Sequence, residues 1–112
     1  MRIISFSKMW QKLEQPEFTT FRYPRGDKDW FVGEEVQVFY KNRSPNREKL
    51  GEAVIVSKIS KITGRLETDV TDADAIADGF TDVRDMEQWL IKTYGIRKVV
   101  SEPINKLTLR WI

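Results

Sequence analysis

Apolar and polar positions alternate with period two along much of this chain, and that alternation predicts most of its strands. Ile3-Ile4-Ser5-Phe6-Ser7 reads as a short first strand. A second extended run, Glu17 to Arg25, is bounded by Pro16 and closes around Pro24. In it Phe18, Thr20 and Arg22 point one way, and Glu17, Thr19, Phe21 and Tyr23 the other. Each face mixes rings with polar groups, which suits a strand lining a pocket better than a plain core strand. Val36, Val38 and Tyr40 share a face of a third strand, launched by a turn at Gly33. Leu50 to Ile62 forms a long fourth strand, with a bulge shifting its phase near Ile59 and Ile62 and Gly64 ending it. Leu107, Leu109 and Trp111 make one face of a closing strand, opposed by Lys106, Thr108 and Arg110.

Helical spacing appears in three places. Ser7 is placed to cap a brief helix from Lys8 to Glu14, with Met9, Trp10 and Leu13 on its apolar side and Pro16 stopping it. Asp72 to Gly79 is a second helix, capped by Thr71 or Asp72. Thr81 or Asp82 caps a third, Val83 to Tyr94, whose stripe is Val83, Met86, Trp89 and Leu90, with Gly95 just past its end. The segment from Gly95 through Pro103 reads as a loop. The order is α+β, and so many strands in so short a chain predict a small mixed barrel of about five to six strands with two or three flanking helices.

Composition narrows the chemistry. The 112 residues make one domain, 1–112, with no cysteine and no histidine. Disulfides, thiolate metal sites, Ser-His-Asp catalysis and imidazole bases are therefore excluded. Catalysis, where present, falls to Lys, Asp, Glu, Thr, Ser or Tyr. The apolar run at the N-terminus is too short for a signal peptide or a membrane span, so a cytoplasmic protein without membrane contact is expected.

The net charge of +2 hides an uneven distribution. Residues 1–65 carry 13 Lys+Arg against 8 Asp+Glu, residues 66–91 carry 1 against 8, and residues 92–112 carry 5 against 1. A basic body with an acidic insert suits a polyanionic partner, while a merely solvated surface is the plainer reading. Arg25 and Lys28 in one loop, and Arg43, Arg47 and Lys49 in the loop 41–49, would track phosphates if the two loops converge. Tyr23, Trp30 and Tyr40 are candidate stacking platforms beside them, and core packing is the competing role. Arg22 is a candidate phosphate ligand or a salt-bridge partner of Asp78, and Thr20 a ligand-positioning hydroxyl or an ordinary strand residue. Asp78 and Asp82 are candidates for an acid–base pair or a magnesium site, against a role as helix caps. Asp69, Asp72 and Asp74 read as a solvated face. No metal site and no cofactor are assigned.

The early Ser-Phe pair, the short helix, the strand ending Thr20-x-Arg22, the Gly33-Glu34 turn into Val36, the Leu50-Gly51 strand and Asp78-Gly79-Phe80 before an amphipathic helix together resemble an ASCH domain. The resemblance spans essentially the whole chain and implies a PUA-like barrel and a role with RNA or nucleotides. It also implies, as the alternative, a small hydrolase acting on a modified nucleoside such as N4-acetylcytidine, or on RNA. The family's strand motif, Gly-x-Lys-x-x-(Glu/Thr)-x-Arg, matches here at Thr20 and Arg22, but Gln15 and Glu17 stand where its glycine and lysine belong. In the hydrolytic members that lysine acts with a threonine and a downstream acid. The carried-over catalytic candidates are therefore Thr20 and Asp78, with Lys12 of the first helix as the substitute amine. The resulting expectation is an RNA- or nucleotide-binding module first and a hydrolase second, with a protein partner as a further option.

Overall fold

In the computed structural model, which describes residues 1–62 and 70–112, five strands form one mixed sheet in the order β1-β3-β4-β5-β2. They are β1 (Arg2–Phe6), β2 (Glu17–Arg22), β3 (Glu35–Tyr40), β4 (Glu48–Ile62) and β5 (Pro103–Trp111). β1 runs parallel to β3, and the other pairings are antiparallel. The first two strands are thus sent to opposite edges of the sheet. Curling brings these edges together: Arg22 Nη2 of β2 donates to the Ser5 carbonyl of β1 at 2.8 Å, and Phe6 meets Phe18 edge-on at 6.1 Å. The result is an α+β half-barrel.

β4 makes the curl, because its first half pairs with β3 and its second half with β5. The register shifts lie between Ile55 and Ser57 and between Val38 and Phe39, earlier than the bulge expected near Ile59. Bulges fall where a strand must change partners and bend, so topology rather than local alternation set their place. The expected break at Gly64 and the acid Asp69 lie outside the described residues.

Two cores result. Ile4, Phe6, Phe18, Val36, Val38, Ile55, Leu107 and Leu109 fill the barrel side. Phe21, Tyr23 and Ile104, on the opposite strand faces, meet the helices through Val83, Met86, Leu90 and Val99. Both faces of β2 are therefore buried, which explains their mixed composition: Phe18 and Thr20 face the barrel, Phe21 and Tyr23 the helical layer.

The helices are α1 (Asp72–Asp78), α2 (Val83–Tyr94) and α3 (Ile96–Ser101). Thr71 and Asp74 form a reciprocal capping box at the start of α1. Asp82 caps α2 by accepting from the Asp85 N–H at 2.8 Å. α3 occupies the segment expected as a loop, with Val99 buried against the helical core. At six residues it is too short to show periodicity, and tertiary packing holds it.

The first expected helix is corrected. Only Gln11–Glu14 winds, as a 3-10 turn, and no side chain caps it. Between the end of β1 and Pro16 the chain must cross to the opposite edge of the sheet, and extended residues on both flanks do this. Trp111 Nε1 donates to the Leu13 carbonyl at 3.1 Å and fixes the turn against β5. Among the described residues no helix is long and apolar enough to cross a membrane.

Candidate functional site

At the end of β2 the barrel side turns polar. Arg22 Nε donates to Thr20 Oγ1 at 3.1 Å while Nη2 holds the Ser5 carbonyl, so the guanidinium ties β2 to β1. Its cation also lies 4.7 Å from the centroid of the Phe6 ring. Thr20 is buried and its hydroxyl is spent on Arg22. It positions that guanidinium rather than presenting a free nucleophile.

Lys12 reaches this cluster from the 3-10 turn. Its Nζ lies 2.8 Å from Asp78 Oδ1, and the two side chains are only 8% and 7% exposed. The path of the chain explains the meeting: Leu13 is held to Trp111 from one side, and α1 ends beside β2 from the other. Asp78 sits in the last turn of α1, where the macrodipole disfavours an anion. A cation is needed there, and Lys12 supplies it. Asp78 is thus an ion-pair partner, whereas Asp82 is a cap.

Electrostatics give the pair unusual character. Burial pushes the Lys12 amine below its ordinary value; Asp78 opposes this, and the Arg22 charge adds to it. Burial likewise raises the Asp78 carboxyl, against the pull of Lys12 and Arg22. Each partner is moved toward its neutral form, because desolvation outweighs attraction. The guanidinium of Arg22 is also pushed down by burial, yet it stays charged at any ordinary pH. Lys12 therefore works next to a permanent cation and a basic carboxylate.

The pair opens on one side, through Lys12 alone. A cleft of about 630 Å³ between the 3-10 segment and α1 is lined by Lys8, Trp10, Lys12, Gln15, Ile76 and Phe80, among others. Trp10 shapes one wall. Gly79, at φ +110, closes α1, and a Cβ there would come within 2.6 Å of the Trp10 ring. Phe80 and Trp89 both pack the indole edge-on, at 5.3 and 6.5 Å. A second hollow of about 480 Å³ lies across the same segment, between Met9, Leu13, Leu50 and Trp111.

The remaining expected residues lie elsewhere. Arg25 leans on Asp27 at 3.4 Å and toward the Trp30 ring, and Lys28 covers Phe31. Their loop is clasped at the start of β1, where Arg2 grips Glu34 through two 2.6 Å bonds and donates to the Lys28 and Asp29 carbonyls. The loop carrying Arg43 and Arg47 is anchored instead at the far end of β1, by Lys41 N–H to the Phe6 carbonyl and Asn42 N–H to Ser5 Oγ. A five-residue strand spans about 13 Å, so the two basic loops are not brought together. Lys49 belongs to β4 and bonds Glu52 at 3.1 Å. Tyr23 is buried among the helices against Tyr94, its phenol pushed up to about 12 by burial, and it offers no stacking face. Glu17, where the resembled family carries lysine, is exposed.

Sequence reasoning singled out Lys12, Thr20, Arg22 and Asp78, and the fold joins all four. It missed Trp10 as a cleft wall, because that residue reads equally well as core. Comparisons with protein-family models, curated proteins and solved structures find no match to this chain.

Proposed function

We propose that this chain is a small hydrolase of a modified nucleoside, with Lys12 as its acid–base group and Asp78 as the partner that positions Lys12. The observation that carries the reading is the 2.8 Å contact between Lys12, which lines an open cleft, and the buried Asp78 behind it. Desolvation moves Lys12 toward the free amine and Asp78 toward the carboxylic acid. In that form Lys12 takes a proton from water as the oxygen attacks an acyl carbon. The resulting ammonium gives that proton to the departing nitrogen as the C–N bond breaks, which returns Lys12 to the amine, while Asp78 behind it holds Lys12 in place. An acylated exocyclic amine such as that of N4-acetylcytidine would yield acetate and cytidine. Thr20 and Arg22 hold the frame and supply positive potential.

This reading keeps the resemblance to ASCH domains and assigns the half-barrel to the PUA-like type. What supports it is the convergence of Thr20, Arg22 and Asp78, with Lys12 filling in space the role that Glu17 cannot fill. A cytoplasmic setting, with access to free nucleosides, belongs to the same proposal. The test is turnover of N4-acetylcytidine followed by release of cytidine, comparing the native chain with Lys12→Gln and Asp78→Asn. Loss of 10²-fold or more in kcat is expected in both, the scale on which positioned acids and bases act. No turnover by the native chain, or full turnover by a folded Lys12→Gln chain, rejects the assignment.

One observation favours a second reading, RNA binding without chemistry. The loop with Arg43 and Arg47 is anchored on Ser5, the residue that Arg22 also grips, so exposed cations border the polar end of the barrel. Binding would weaken steeply with salt and with Arg43→Gln/Arg47→Gln. A gel-shift series without retardation at low ionic strength dismisses it.

A further inference from the structure

We infer that the cleft selects a ring-bearing anion, a nucleoside monophosphate, with Lys8 holding the phosphate and Trp10 packing against the base. This rests on the nucleoside reading above and specifies its substrate class.

Two ammonium groups line the cleft, and none of its lining residues is a carboxylate. They are not equivalent. The charge of Lys12 is matched by Asp78 behind the wall. Lys8 has no carboxylate within ion-pair distance among the described residues. Its side chain instead lies over Trp10, with Nζ 4.4 Å from the ring centroid. An exposed ammonium over an indole is a weak contact that a phosphate readily outbids as a partner. The cleft thus carries one unneutralised, movable cation at its mouth.

Trp10 itself is held in place. Its six-membered ring lies against the backbone of Gly79, where no Cβ fits, and Phe80 and Trp89 pack around it. Lys8 Nζ lies 4.4 Å and Lys12 Nζ 5.5 Å from this ring, so a flat base reaches the rigid indole as Lys8 swings out to the phosphate. About 630 Å³ is within the range of pockets that enclose a ligand of nucleotide size. A base against Trp10 would leave its exocyclic nitrogen toward the Lys12 side and its phosphate toward Lys8.

The experiment titrates cytidine monophosphate and cytidine separately into the native chain and into Lys8→Gln, read by calorimetry and tryptophan fluorescence. Lys8 is exposed, so its replacement leaves the fold intact. The native chain should bind the monophosphate roughly tenfold more tightly than the nucleoside, the scale of one charge-assisted contact near the surface. In Lys8→Gln that ratio should fall to near one, and in the native chain it should shrink as salt rises. Equal affinities in the native chain, a preference that survives Lys8→Gln, or no binding of either compound overturns the inference. A 5′-phosphorylated oligonucleotide that outcompetes the monophosphate overturns the choice of a free nucleotide. Turnover decides the hydrolase reading separately. A chain that prefers the monophosphate through Lys8 but hydrolyses nothing loses only the chemistry. A chain that deacylates without phosphate preference loses only this inference.

Discussion

Removing one member of the Lys12–Asp78 pair should cost far more than removing both. Each side chain is less than a tenth exposed, so a surviving partner is left without its counter-charge in a largely desolvated place. Breaking a buried ion pair costs about 3–5 kcal/mol, whereas replacing it by well-packed apolar groups is often neutral or stabilising. The two single losses should also differ. In Lys12→Met, Asp78 keeps the nearby Arg22 as a counter-charge. In Asp78→Asn, Lys12 and Arg22 face each other with no anion between them, and Arg22 cannot shed its proton. Asp78→Asn should therefore fall near 5 kcal/mol and Lys12→Met near 3, roughly, while Lys12→Met/Asp78→Leu should lie within about 1 kcal/mol of the native chain. Against a total of about 5–15 kcal/mol for a domain, the single losses are large. Urea unfolding of all four chains measures the cycle.

The pH dependence of the same chains has a fixed sign. The folded Asp78 carboxyl titrates above 3.8, so the folded state holds the extra proton and stability falls as pH rises through that window. The folded Lys12 amine titrates below 10.5, so the folded state holds fewer protons and stability rises again as pH climbs toward 10.5. This pair's contribution is lowest between the two windows, and the double replacement should flatten both limbs. If Asp78→Asn proves cheaper than Lys12→Met, or if both cost under about 1 kcal/mol, the desolvated-pair argument is wrong.

Three further outcomes follow from the same geometry. Gly79→Ala should lose about 1–3 kcal/mol in urea, since φ +110 strains an L residue and its Cβ strikes Trp10 at 2.6 Å; an unchanged midpoint would mean Trp10 yields freely. Arg2→Lys should fail to replace Arg2, losing about 2 kcal/mol or more by thermal unfolding, because Glu34 is buried and accepts two separate guanidinium bonds; full stability in the lysine variant would show that charge alone suffices. Asp74→Asn should cost about 1 kcal/mol at neutral pH and progressively less in acid. The Lys106 bond holds the Asp74 carboxyl below 3.8, so its contribution is present above that value and fades as pH falls through the lowered folded pKa, and a difference that persists at pH 2 refutes it.

Much of the sheet is written in local alternation. The strand from Val36 and the helix Val83–Tyr94 were legible because each keeps one period long enough to bury one face. Phe18 and Phe21 were legible as strand but not as two cores, since only the packed helices show that both faces of β2 are covered. Lys8 to Glu14 misled because Met9, Trp10 and Leu13 have helical spacing, while the chain must stretch there to cross the sheet. Ile96–Ser101 was too short to announce itself. At the site, strand phase put Thr20 and Arg22 on one face, and the family resemblance is what singled them out. The partnership of Lys12 with Asp78 spans 66 positions, and no local pattern encodes such a distance. The basic loops were visible as loops, but their attachment to opposite ends of β1 depends on Arg2 and Ser5, whose roles emerge only in the folded chain.

The central claim is that Lys12 is a desolvated, reactive amine, and titration of its side chain tests this most directly. With lysines labelled by reductive ¹³C-methylation and the Lys12 signal identified by its loss in Lys12→Arg, Lys12 should lose its proton below 10.5. A Lys12 that titrates at or above 10.5, as an ordinary salt-bridged ammonium would, contradicts the account.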